Sequence, residues 1–180
     1  MKNHVGDIWS CDFTVVYDWL FRLRHIFVIM ELKTRRIVHS AVTTSPSDEW
    51  TAQQLREATP WGQSPKYLLH DHFSAVAAGS GIQELRTPYR APRANGICER
   101  YMGSLRRECL DHSIIFHERQ LKRVVREYTH YFNQERPHQG IGQRIPEHYD
   151  WPASSPTGNI SSRAFLGGLH HCYSRVACPK

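Results

Sequence analysis

Three carboxylates stand where a carboxylate is conspicuous. Asp12 lies in the middle of an apolar run, Asp71 directly follows another, and Glu99 opens an amphipathic stretch. Carboxylate oxygens are the natural ligands of hard divalent cations such as Mg2+. Three of them crowded together repel one another unless cations neutralise them, so a shared site would need metal to hold together as well as to react. Two such ions, about 3.5–4 Å apart, can activate an attacking oxygen and stabilise the leaving one in an in-line phosphoryl displacement. Each acid also has a plainer reading. Asp12 could be salt-bridged to a neighbouring arginine, Asp71 could cap the next turn, and Glu99 could be a solvated ion pair among arginines. No nucleophile elbow, P-loop or H-E-x-x-H motif offers a competing chemistry.

The elements that must position these residues can be read from periodicity. Residues 8–17 (IWSCDFTVVY) are rich in β-branched and aromatic side chains and read as a buried strand with Asp12 at its centre. Residues 18–24 read as a turn, and 25–32 and 36–43 as two further strands, giving an antiparallel meander. Ser45-Pro46-Ser47-Asp48 reads as a helix start, with a capping hydroxyl, a proline in the first turn and acids behind it; the helix runs to about Thr59. Residues 66–70 form a short strand that ends immediately before Asp71, and a carboxylate at the carboxyl end of a strand is where ligand groups lie in α/β sheets. A last strand is expected over 82–86. On a helical wheel centred on Glu99, Gly103 and Arg106 share its face with Arg100 and Arg107 beside them. Ile97, Cys98, Tyr101, Met102, Leu105 and Cys109 fill the opposite arc. A second amphipathic helix spans 117–135, its apolar stripe Leu121, Val124, Val125, Tyr128 and Phe132; Arg119, Lys122, Arg123 and Arg126 lie off that stripe, most simply on a solvated face, with DNA contact as the second reading.

The chain of 180 residues carries 23 Lys and Arg against 17 Asp and Glu, a net charge of +6. Eleven basic residues against six acids fall between Arg86 and Arg136, so the excess surrounds the Glu99 helix and suits a polyanion. Five scattered cysteines without a C-x-x-C point to reduced thiols, and there is no signal pattern and no apolar run long enough for a membrane span. A cytoplasmic protein without a membrane or small-molecule partner is expected. Residues 151–162 have little periodicity, and 147–180 is expected to be a mobile C-terminal tail behind a core of residues 1–146. His170, His171, Cys172 and Cys178 match no standard zinc spacing.

Two aspartates on adjacent strands and a glutamate from a packed helix can converge at one sheet edge. At this point the chain resembles the catalytic core of DDE-type insertion-sequence transposases and retroviral-type integrases. The resemblance rests on WSCDF around Asp12, LLHD ending at Asp71, and TPYRAPRANGICERYMGSLRRECLDH, in which Pro88, Pro92, Asn95, Gly96, Glu99 and Arg100 carry the most specific pattern. The later run REYTHYFNQERPHQGIGQRIP is similar to the segment that closes this core in bacterial members. The resemblance implies an α/β, RNase H-like mixed sheet, three antiparallel strands then parallel strands, flanked by helices. It implies two Mg2+ or Mn2+ ions held by Asp12, Asp71 and Glu99, DNA cleavage and strand transfer on element ends and target, and homo-oligomers. Arg90, Arg93, Asn95, Arg100, Arg106 and Arg107 are then expected at the DNA backbone.

The sequence departs from that family in two ways. The chain starts almost at its first strand, so the family's N-terminal helix-turn-helix is expected to be absent, leaving weak, salt-sensitive DNA binding. Asp71 and Glu99 are 28 residues apart, shorter than the family interval by about two helical turns. That shortening sets an alternative beside the enzyme: a catalytically impaired remnant that binds DNA or a full-length partner.

Overall fold

In the computed structural model, residues 6–60, 64–70, 82–86, 96–150 and 158–176 are described. Strand β1 (Ile8–Tyr17) pairs antiparallel with β2 (Leu23–Glu31), and β2 with β3 (Ile37–Thr43). Helix α1 (Asp48–Ala58) crosses over to β4 (Tyr67–His70), which pairs parallel with β1, and β5 (Gln83–Arg86) pairs parallel with β4. The sheet order is β3-β2-β1-β4-β5, the expected mixed sheet of three antiparallel strands followed by parallel ones.

Both faces of this sheet are covered, and strand alternation sorts the side chains between them. Trp9 and Cys11 of β1, Phe27 and Ile29 of β2 and Leu68 of β4 pack with Leu55 and Ala58 of α1. Ile26, Val28 and Met30 point the other way, into a larger core made by α2 (Gly96–Glu108) and α3 (Glu118–Gln134). Residues 26–30 are all buried, which explains why β2 reads as a continuous apolar run rather than an alternating one. The wheel drawn for the Glu99 helix holds: Cys98, Tyr101, Met102 and Leu105 are buried while Glu99, Arg100, Arg106 and Arg107 are exposed. Asn133 of α3 ties the sheet edge by accepting from Ile37 N (2.9 Å) and donating to Ile37 O (2.8 Å).

Two expectations need correction. The cap of α1 is Ser47, whose hydroxyl accepts from Trp50 N at 3.2 Å; Pro46 therefore precedes the helix instead of lying in its first turn. Residues 159–176, expected within a mobile tail, form an antiparallel hairpin of β6 (Asn159–Phe165) and β7 (His170–Val176). Its turn runs through Leu166, Gly167 and Gly168, all at positive φ, where the two glycines supply the left-handed backbone. One end is anchored on α3. Phe165 is buried against Tyr131 (5.4 Å between ring centroids), His170 stacks on Tyr131 at 4.6 Å, and Arg163 pairs with Glu135.

Candidate active site

Asp12 sits opposite Val28 in the β1–β2 register, so its side chain belongs to the α2–α3 face of the sheet. It is half-buried, and its Oδ1 accepts the Phe13 amide at 2.7 Å. Helix α2 lies on this face, and its orientation along β1 follows from two contacts. Ile97, Arg100, Tyr101 and Ser104 share a cavity of about 330 Å³ with Met30, the partner of Ser10. Arg106 donates to Val15 O at 2.8 Å. The helix therefore runs in the same direction as β1, its first turns beside Ser10 and its last beside Val15. Glu99 is seven residues before Arg106, two turns earlier on the same stripe of α2, the helix that covers the face of the sheet to which Asp12 belongs. Glu99 is exposed and has no ion-pair partner among the described residues.

In the parallel β1–β4 register, Trp9 pairs with Leu68 and Ser10 with Leu69. The end of β4 at His70 thus lies beside the part of β1 leading into Asp12. Asp71 follows His70 in the sequence and is outside the described residues, as are Arg90, Arg93 and Asn95. Among the described residues, no group of three His, Cys, Asp or Glu side chains is placed to hold a metal.

The described arginines divide by what they touch. Arg100 returns to its own helix, Nε donating to Gly96 O at 2.9 Å. Arg106 is engaged by the β1 backbone. Arg107 lies along Gly103, where a Cβ would meet its guanidinium at 3.0 Å, so the small residue between the charges makes room for this side chain. Arg35, from the β2–β3 turn, donates to Gly140 O at 3.3 Å; burial and the nearby Arg100 lower its pKa, and a Cβ on Gly140 would overlap its guanidinium.

Two acids read only as parts of a turn and a helix prove to hold the frame. Asp18, 3% exposed, accepts from the amides of Leu20 and Arg22 and from the Arg22 and Arg24 side chains. Burial pushes its carboxyl up, and the hydrogen bonds from Arg24 and Arg22 outweigh that and hold it well below the usual carboxylate range. Glu108, near the end of α2, receives Arg136 in a two-pronged contact (3.0 and 2.6 Å) and Tyr128 OH at 2.8 Å, while its main-chain oxygen meets His170 Nε2 at 2.7 Å. An acid followed six residues later by an arginine in a strand pair was the available signal for Asp18; Glu108 had no signal short of the fold.

The comparisons with known proteins agree with this fold. Residues 80–146 match the integrase core domain family model. An uncharacterized 39.2 kDa protein of insertion element IS476 from Xanthomonas euvesicatoria is 29% identical over 151 residues, 78% of this chain and 43% of that protein. The chain thus spans less than half the length of this curated relative. Among solved structures, a simian T-cell lymphotropic virus intasome in complex with PP2A regulatory subunit B56 gamma matches with a TM-score of 0.62 and 15% identity, over 93% of this chain and 66% of that one. The HTLV-2 integrase catalytic core domain in complex with magnesium, in its trimeric form, matches with a TM-score of 0.60 and 13% identity, over 80% of this chain and 95% of that one. No helix among the described residues is long and apolar enough to cross a membrane. Residues 80–146 are thus similar in sequence to the integrase core domain, and the chain shares the fold of retroviral integrase catalytic cores.

Proposed function

We propose that this chain is the core of a DNA transposase or integrase that cuts and joins DNA by metal-dependent phosphoryl transfer. The observation that supports the reading is that Asp12 of β1 belongs to the sheet face covered by α2, the helix that carries Glu99 and is tied to β1 through Arg106 and Val15 O, with β4 ending alongside. Asp71, one residue past that end, completes the set. A half-buried Asp12 and a Glu99 without an ion-pair partner among the described residues are carboxylates fit for Mg2+ or Mn2+, and such ions would supply activation of the attacking oxygen and charge neutralisation at the leaving one. The protein's own part is to hold the carboxylates on rigid elements and to bind the DNA backbone through Arg100 and Arg107 together with Arg90, Arg93 and Asn95. Arg106 is given the structural duty of fixing α2. DNA ends, a target and further copies of the chain are the partners in this reading; two of the structural neighbours are described as trimeric and dimeric forms.

A strand-transfer assay on a 3′-hydroxyl DNA end with Mg2+ tests it. Joined product that disappears in Asp12→Asn supports the enzyme, and product that persists in the variant overturns it. The interval of 28 residues between Asp71 and Glu99 favours a second outcome. DNA binding in both proteins without metal-dependent cleavage in either identifies a remnant that binds without catalysis.

A further inference from the structure

The β1–β2 turn and the start of α3 together present flat apolar rings beside guanidinium groups that have no carboxylate partner among the described residues. Trp19 (55% exposed), Phe21 (86%) and Phe116 (51%) stand in solvent in a fixed arrangement. Asp18 locks the turn from beneath through four donors. Trp19 N donates to Ile115 O at 2.8 Å, joining the turn to the segment before α3, and the Trp19 and Phe116 rings lie 6.2 Å apart. Gln120 then fixes that segment to the helix, accepting from Phe116 N and donating to Ile114 O, both at 2.8 Å. Phe116 also lines a cleft of about 840 Å³ between β3, α1 and α3, whose α3 wall carries Arg119, Arg123 and Arg126. These three are exposed and have no carboxylate partner among the described residues, whereas Lys122 is neutralised by Glu118 at 2.6 Å. Glu57 is the acid on the opposite wall, and its Oε1 accepts from Gln53.

Like charges three and four residues apart on one helical stripe destabilise the helix. Exposed aromatic rings held rigidly in water likewise gain nothing from the fold. Both features suit one ligand. A groove of unpaired arginines tracks phosphates, and rings at its mouth receive bases, the combination by which single strands are bound without sequence preference. An i to i+4 arginine step of about 6 Å also approximates the spacing of successive phosphates on an extended strand. A duplex keeps its bases stacked away from such rings.

We infer that Trp19, Phe21 and Phe116 with Arg119, Arg123 and Arg126 form a binding track for single-stranded nucleic acid at the β3 edge, separate from the β1–β4 side of the sheet where Asp12 lies. The inference does not rest on catalysis. It is tested with the full chain in EDTA, by fluorescence anisotropy of a labelled twelve-residue oligothymidylate and of a duplex of equal length. The single strand is expected to bind at least tenfold tighter than the duplex. Replacing Arg119, Arg123 and Arg126 together by Ala lowers the single-strand affinity at least tenfold and reduces the salt slope by about 2. Trp19→Ala lowers affinity by about fivefold or more with the slope unchanged. In the wild-type protein, an oligonucleotide carrying 5-iodouracil cross-links to the peptide containing Trp19 or Phe116, which keeps the test independent of variant folding. Unchanged binding in the triple variant, equal affinity for duplex, cross-links only elsewhere, or equal displacement by polyglutamate each overturns the inference.

Discussion

Helix α2 carries two glutamates nine residues apart whose situations are opposite. Glu108 is consumed by packing: Arg136 and Tyr128 from α3 hydrogen-bond its carboxylate, and His170 from the C-terminal hairpin reaches its backbone. Burial pushes the Glu108 carboxyl up, but the bonds from Arg136 and Tyr128 prevail and hold it low. Glu99 is exposed and without a partner among the described residues, although it rides on the same rigid helix. On the β1–β2 hairpin, Asp18 is saturated beneath the turn, while Asp12 is half-buried in mid-strand and accepts the Phe13 amide. Acids that build the frame are surrounded by donors. The acids proposed for chemistry stand on a strand and a helix that other contacts hold in place.

Exchanging the two glutamates' roles by mutation tests this contrast most severely. Glu99→Gln is expected to reduce metal-dependent strand transfer by roughly a hundredfold or more while leaving the melting temperature unchanged. Glu108→Ala strands Arg136 and the Tyr128 hydroxyl, and should cost about 2–3 kcal/mol, or roughly 5–10 °C in a thermal melt. A Glu108→Ala chain as stable as the parent breaks the comparison. Asn133→Ala removes two hydrogen bonds at the start of β3 and is expected to cost about 1–2 kcal/mol in denaturant unfolding.

The smallest effect is a pH dependence. His138 is buried beside Phe132 and Arg136, and burial lowers its pKa from 6.5 to about 4. Its ring, edge-on to Phe132, stays neutral in the folded chain while the unfolded chain takes up a proton below about pH 6.5, so its contribution is present above that pH and lost on the way down to about pH 4. Between pH 7 and pH 6 the loss is under about 1 kcal/mol. Replacing His138 by Gln should flatten that part of the stability profile.

How much could be read without coordinates follows from which residues decide each element. β1 carries its own signal in eight β-branched, aromatic or otherwise apolar positions out of ten, and α3 in a stripe every third or fourth residue, so both were legible. The C-terminal hairpin was not, because β6 is exposed from Asn159 to Ala164 and only Phe165 is buried; a ribbon with almost no inward face shows no alternation. Ser45 and Ser47 are equivalent as sequence, and only the reach of the Ser47 hydroxyl to Trp50 N separates them. At the site, the sequence marked Asp12 and Glu99 but not what aligns them. The Arg106 contact with Val15 O joins residues 91 apart, and no local pattern announces it.

In the proposed mechanism one cation pocket gathers two strand aspartates and a helix glutamate. A crystal of the chain soaked in Mn2+ measures this directly through the anomalous signal. The account predicts density coordinated by carboxylate oxygens of Asp12, Asp71 and Glu99 together. Metal bound elsewhere on the chain, or Asp12 and Asp71 turned to opposite faces of the sheet, would contradict it.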